Sequence, residues 1–264
     1  MDLPTLKKKL LEERGFDPHQ YSDSFFKRRL ATRLRAHAVS TYDDYALILK
    51  KDPDEYDKLW SALTINVTRF FRDAIVWEAI EKKMIPELIS YKEARGEKCI
   101  RVWSAGCSTG EEAYSIAILL KPFAEEFTTF IYGTDRDARG LDRAKEGVYG
   151  VSSLGEIKPK HASYLEHSDG EYRIKDEIKR MVKFMKHDLL EDKYFKRIDL
   201  ILCRNVLIYF KKEAQEQVVS NFCESLKEHG YMVLGRVETI FVEAKERFTP
   251  VDLGKRIYRK SEQH

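Results

Sequence analysis

The sequence predicts a doubly wound α/β domain with a small β insertion, preceded by an all-α N-terminal domain. Three observations predict it. From residue 100 onward, short apolar runs alternate with helical patterns, the rhythm of a parallel sheet covered by helices on both faces. The first run, Ile100-Arg-Val-Trp-Ser-Ala105, passes straight into a loop of small residues and then a helix, which makes the domain Rossmann-like. Residues 1 to about 75 carry no strand pattern.

Along the N-terminal part, Asp17-Pro18 marks a turn. Ser22 is placed to cap a helix over Asp23 to Val39, in which Phe26, Leu30 and Leu34 recur at i, i+4 and i+8. A second helix follows Thr41, over Tyr42 to Lys50. Asp52-Pro53 breaks the chain, and a third helix runs from about Glu55 to Leu63. Trp77, Ile80, Met84 and Leu88 then mark another helix leading into the first strand.

After that strand comes a helix from Glu111 to Leu120, and then strands at Phe130–Thr134, Val182–Met185, Ile198–Cys203 and Tyr231–Leu234. A helix over about Lys212 to His229 joins the last two. Strand candidates at 248–251 and 256–259, with Gly254 between, suit an antiparallel hairpin closing the sheet edge. Between Tyr149 and Lys179 the rhythm stops for longer than an ordinary connection allows, so an inserted subdomain is expected at about 149–180. The expected division is a helical domain over 1–75 and a ligand-binding domain over 76–264.

Composition narrows the classes. A chain of 264 residues, 43% hydrophobic, can bury one large core and a small companion core. A net charge of +3 does not announce nucleic acid as a partner. The four cysteines (Cys99, Cys107, Cys203, Cys223) include no C-x-x-C pair, so neither a metal site nor a disulfide framework is expected. Reduced thiols fit the cytoplasm. The three lysines near the start precede no apolar run of signal-peptide type, and no stretch approaches the roughly 18 apolar residues of a membrane span.

The chemistry concentrates at strand ends. Ala105, Gly106, Ser108 and Gly110 let a ligand approach the backbone after the first strand, at a helix N-terminus. No lysine follows Gly110, and the spacing is not G-x-G-x-x-G, which argues against a phosphate-cradling loop. Glu111 and Glu112 would repel a pyrophosphate. They suit a ligand with an ammonium group, as at the methionine end of S-adenosylmethionine, and Glu111 is the preferred partner. The plainer reading is that both acids merely favour a helix start. Asp135 ends the second strand, where an acid can accept hydrogen bonds from a ribose diol. Asp188 and Leu189 follow the third strand, where an acid could meet an adenine amino group and an apolar side chain could pack on the ring. Arg204-Asn205-Val206 follow the fourth. Asn66, Thr68 and Arg72 fit no single helical face and read as an extended segment turning into a helix, with Phe70 and Phe71 as core. Lys27, Arg28, Arg29, Arg33 and Arg35 crowd one helix, either as an ordinary solvated face or as a docking surface for an acidic partner.

These stretches together resemble the chemotaxis receptor methyltransferases, the CheR family. The matching runs are N-V-T-R-F-F-R-D (66–73), V-W-S-A-G-C-S-T-G-E-E-A-Y-S-I-A (102–117), Y-G-T-D (132–135), A-K-E-G-V-Y (144–149) and I-L-C-R-N-V-L-I-Y-F (201–210), in the family's order and over nearly the whole chain. The resemblance implies methyl transfer from S-adenosyl-L-methionine to glutamate carboxylates on the cytoplasmic helical region of methyl-accepting chemoreceptors, leaving S-adenosyl-L-homocysteine. It implies cofactor contacts at Asn66, Thr68, Arg72, Glu111, Asp135, Asp188, Leu189, Asn205 and Val206, beside the close approach at Ala105 and Gly106. It expects a monomer that binds no nucleic acid and enters no membrane. The departures are Asp188, where relatives often have Asn, and Gly235-Arg236-Val237-Glu238, where they often have Gly-His-Ser-Glu. Some members bind a receptor pentapeptide through a glycine-rich extension of the insert. Here Tyr164 to Val182 has only Gly170, so docking without that tether is expected. A glutamate acceptor is ionised near neutrality, with an ordinary pKa of about 4.3, so no general base is expected and Arg72 and Asn205 are left to orient the reactants. A methyltransferase acting on RNA or a small molecule would share the cofactor site, and so would a non-catalytic module that only senses the cofactor.

Overall fold

The computed structural model describes residues 1–14, 18–63, 68–240 and 246–262. The chain forms two compact units. One comprises Met1–Ile65 with Ile208–Gln215, and the other Asn66–Leu207 with Glu216–His264.

The first unit is helical: α1 (Leu3–Arg14), α2 (Asp23–Ala36), α3 (Tyr42–Lys51) and α4 (Asp54–Leu63). Helix α1 is an element the sequence reading passed over, although Leu3, Leu6 and Leu10 form its buried stripe at helical spacing. Helix α2 starts where expected, but Ser22 makes no side-chain cap, and the helix stops at Ala36 rather than Val39. Thr41 does cap α3, accepting from the Asp44 N–H at 3.2 Å. Phe26, Leu30, Tyr45, Leu49 and Leu59 close the core. Glu55 is buried in it with three partners. Arg33 donates from Nε and Nη2 at 2.8 and 2.7 Å, the Tyr45 hydroxyl donates at 2.7 Å, and the His37 Nε2 lies at 2.8 Å. The distant segment 208–215 joins this unit through hydrogen bonds from Ser22 N to the Tyr209 carbonyl and from Lys211 N to the Gln20 carbonyl. The Tyr209 ring also lies 4.6 Å from that of Phe25.

The second unit opens with α5 (Ala74–Ala79), a π-helical turn (Ile80–Met84) and α6 (Ile85–Ala94). All four residues that predicted one helix here, Trp77, Ile80, Met84 and Leu88, are buried, but the π turn interrupts it. There follow β1 (Cys99–Ala105), α7 (Glu111–Leu120), β2 (Thr128–Asp135), α8 (Ala138–Glu146), β3 (Val148–Gly150), α9 (Pro159–Ala162), β4 (Leu165–Ser168), β5 (Glu171–Ile174), α10 (Asp176–Lys179), β6 (Val182–Lys186), β7 (Ile198–Cys203), α11 (Lys212–Ser225), β8 (Leu226–Leu234), β9 (Phe248–Asp252) and β10 (Ile257–Lys260). The main sheet has the order β6-β2-β1-β7-β8-β10-β9, parallel from β6 to β8, with β10 antiparallel to both of its neighbours. This is the doubly wound, Rossmann-like sheet with its closing hairpin. The insert is a separate three-stranded antiparallel sheet, β3-β5-β4. Its β4–β5 turn is Asp169-Gly170, both at positive φ (54° and 79°), the two-residue hairpin that such angles produce.

One boundary differs in kind from its expectation. The helix foreseen to His229 ends at Ser225, because Leu226 pairs with Ile198 as β8 begins. His229 then takes φ 59°, and a Cβ on Gly230 would come 2.9 Å from the Lys227 carbonyl oxygen, so only glycine fits the bend that brings Tyr231 opposite Leu200.

Candidate cofactor site

Strand order reverses between β1 and β7, so the loops leaving their carboxyl ends flank a crevice, the usual ligand position in such sheets. The two loops touch. A Cβ added to Gly106, whose φ is 78°, would stand 2.4 Å from Val206 Cγ2. Any side chain at 106 would displace Val206.

The loop after β1 turns its amides inward. The N–H groups of Gly106 and Cys107 both donate to the Thr134 carbonyl at 2.8 Å, and that of Ser108 donates to Asp135 Oδ2 at 2.8 Å. A phosphate-binding loop aims such groups at its ligand. Here they brace the end of β2.

The two acids at the α7 N-terminus are in different company. Glu112 accepts from Ser104 Oγ at 2.9 Å and lies 3.5 Å from Arg204 Nη1. Glu111, 2% exposed, accepts from Thr109 Oγ1 at 2.7 Å and pairs with no cation among the described residues. Burial raises the pKa of both carboxyls above the ordinary range; for Glu112, Arg204 works against that rise. A buried carboxylate without a counter-charge is costly and favours the arrival of a cation. Asp135 is also raised by burial, against the hydrogen bonds it accepts from the Asp137 and Ser108 amides.

Arg204 is a buried strut. Its Nη2 donates to the Arg72 carbonyl at 2.8 Å and to Asp73 Oδ2 at 2.5 Å, while Nη1 faces Glu112. It thereby ties the segment carrying Thr68 and Arg72 to the start of α7. Ser115 Oγ adds a second tie, accepting from Phe71 N at 3.0 Å. Phe70 and Phe71 are buried core, as expected. Asn66 lies outside the described residues. After β6, Leu189 is buried, and Asp188 is engaged by Arg136 at 3.0 Å and by Leu190 N at 2.9 Å.

Sequence reasoning named Glu238 only within the loop Gly235-Arg236-Val237-Glu238 and gave it no role; it accepts hydrogen bonds from three backbone amides around Asn205. Its role is not local, since its partners lie 31 to 33 residues away in two of the three cases. On α2, Lys27, Arg28 and Arg35 are exposed and Arg29 is partly buried. Arg33 must be removed from the proposed docking face: its guanidinium is bound to buried Glu55 in the helical unit's own core.

Comparison with known proteins identifies the family. Residues 66–257 match the family model "CheR methyltransferase, SAM binding domain" and residues 1–64 match "CheR methyltransferase, all-alpha domain". The chain is 37% identical over 228 residues to a chemotaxis protein methyltransferase of Listeria monocytogenes, covering 86% of this chain and 85% of that protein. It is 31% identical over 250 residues to a protein of the same name from Borreliella burgdorferi, covering 90% and 88%.

Proposed function

This chain belongs to the CheR methyltransferase family, an S-adenosylmethionine-dependent class of enzymes, and on that premise we propose that it methylates glutamate carboxylates of chemoreceptors in chemotaxis. The observation that carries the cofactor half of the reading is Glu111, a buried carboxylate without a cationic partner among the described residues, beneath a loop whose amides are turned away. Those residues fit a ligand with an ammonium end and no phosphate.

In this reading Glu111 accepts from the cofactor's ammonium group, Asp135 from its ribose hydroxyls, and Asp188 and Leu189 bound its adenine. Ala105 and Gly106 supply the close backbone approach, and Asn66, Thr68, Arg72, Asn205 and Val206 complete the pocket. When bound, the cofactor supplies a methyl group activated on a sulfonium. The acceptor glutamate is already an anion near neutrality, so the chain's task is alignment and exclusion of water, with the Arg72 and Asn205 segments orienting the two reactants. Arg204 holds the Arg72 backbone for this task.

Lys27, Arg28 and Arg35, exposed on α2, are the cations available to an acidic receptor helix. The two-residue turn at Asp169-Gly170 supports docking without a peptide tether, since the insert has no extended loop there. No helix among the described residues is long and apolar enough to cross a membrane, so the reading has the chain meet the receptor's helical region outside the bilayer.

The test uses labelled S-adenosylmethionine with receptor-containing membranes. Base-labile label on the receptor is expected, and base-stable label would rule out a carboxyl ester. In the same assay Arg28→Glu with Arg35→Glu should lower receptor labelling about tenfold through lost charge complementarity, with cofactor affinity unchanged. Unchanged labelling would sink the docking face, and measurable affinity for a receptor C-terminal pentapeptide would sink the untethered reading.

A further inference from the structure

The loop after β8 departs from the family's Gly-His-Ser-Glu at Arg236 and Val237 but keeps the glutamate, and this Glu238 is one of the most heavily bonded carboxylates around the site. It is 3% exposed. Oε2 accepts from Asn205 N at 2.9 Å and from Gly235 N at 2.6 Å, and Oε1 accepts from Leu207 N at 2.7 Å. Two of these donors bracket Val206. Asn205 itself sits at φ 62°, the left-handed region that asparagine tolerates better than most side chains.

The clamp reaches the opposite loop through packing. Val206 rests against Gly106, where a Cβ would come within 2.4 Å of it. Gly235 obeys the same rule on the other side: a Cβ there would stand 2.6 Å from Glu238 Oε2 and 2.8 Å from Asn205 N. One carboxylate at the end of β8 thus fixes the turn after β7, and that turn fixes the space over the loop after β1.

We infer that Glu238 is a positioning residue for cofactor binding, holding the 205–207 turn in its binding shape before the cofactor arrives. This rests on the reading of Asn205 and Val206 as cofactor contacts. The chemistry demands a carboxylate, because both oxygens must accept. In Glu238→Gln one oxygen becomes an NH2 group that faces a backbone N–H whichever way the amide is turned. At least one buried donor then loses its acceptor.

The probe is S-adenosylhomocysteine, with affinity measured by calorimetry. Glu238→Gln should raise its Kd tenfold or more and raise the KM for S-adenosylmethionine similarly. A purely structural residue would lower stability and leave the Kd of the folded fraction unchanged. In the unmodified, ligand-free chain the amides of Asn205, Leu207 and Gly235 should exchange slowly with solvent. A Kd within twofold of wild type in a folded Glu238→Gln variant, or rapid exchange of those amides in the unmodified chain, overturns the inference. Asn205→Ala separates the two levels. If it weakens binding and Glu238→Gln does not, the clamp is wrong and the site reading stands. If neither weakens binding, the site reading is wrong and the inference falls with it.

Discussion

Glu111 gives the residue scale its sharpest consequence. Its carboxyl is held above the ordinary value of 4.5 by burial, as Asp135 is held above 3.8. A folded-state pKa raised in this way contributes stability below the unfolded value, and that contribution is lost as pH rises through the folded value. Binding of a cation runs the other way, since it needs the ionised form. Affinity for S-adenosylmethionine should therefore begin to fall on acidification at a pH above 4.5, earlier than ordinary carboxylates would allow. Glu111→Gln should weaken binding by roughly ten- to a hundredfold, the range expected from losing one charge-assisted hydrogen bond, and should remove most of that pH dependence. Calorimetry across a pH series measures both, and a flat profile in the unmodified protein would refute the assignment. The acids at 111, 112 and 135 were legible in the sequence because strand ends and helix starts can be located from periodicity. Which of Glu111 and Glu112 lacks a cation was not, because Arg204 reaches Glu112 across 92 residues.

At the scale of elements, the helical unit hangs on a polar knot. Burial pushes Glu55 up, but the hydrogen bonds it accepts from Arg33 and Tyr45, with His37 close by, outweigh that and bring it down to about 2. A depressed carboxyl stabilises the fold above its unfolded pKa, and that stability is lost as pH falls through the folded value. The helical unit should accordingly weaken between about 4.5 and 2, in the opposite sense to Glu111. Arg33→Ala leaves a buried carboxylate without its main partner and should cost about 3 kcal/mol in denaturant unfolding; a loss below about 1 kcal/mol would show the knot to be dispensable. Elements with clean periods, such as α3, α7 and β7, were legible. The end of α11 was not. Val218, Val219, Phe222, Cys223 and Leu226 are all buried and continue one helical stripe across the boundary, so the pattern holds no stop signal. Strand pairing with Ile198 decides it, and pairing is not a local property.

For the whole molecule, the informative feature is the path of the chain. Residues 208–215 leave the turn after β7, enter the helical unit, and return along α11. A reading of the sequence as two consecutive domains, cut near residue 75, has no means of seeing this, because the partners of that segment, Gln20, Ser22 and Phe25, lie nearly 190 residues upstream. A fragment beginning at residue 66 keeps the whole α/β sheet yet strips those partners from the segment that follows Asn205-Val206-Leu207. It should bind S-adenosylhomocysteine at least tenfold more weakly than the full chain. Titration of purified fragment and full chain checks this, and equal affinities would show the segment to be autonomous.

The inward-turned amides of the loop after β1 bear on selectivity. Adenosine triphosphate shares its adenosine with S-adenosylmethionine and would compete wherever the adenosine alone were recognised. With the amides of Gly106, Cys107 and Ser108 occupied by the end of β2, a triphosphate finds no donors from them to replace its water shell. With the ligand placed as proposed, its anionic tail would also approach the buried acid Glu111. On the proposed assignment the site would discriminate by what it withholds, rejecting an adenosine carrier for its anionic tail rather than for its base or sugar.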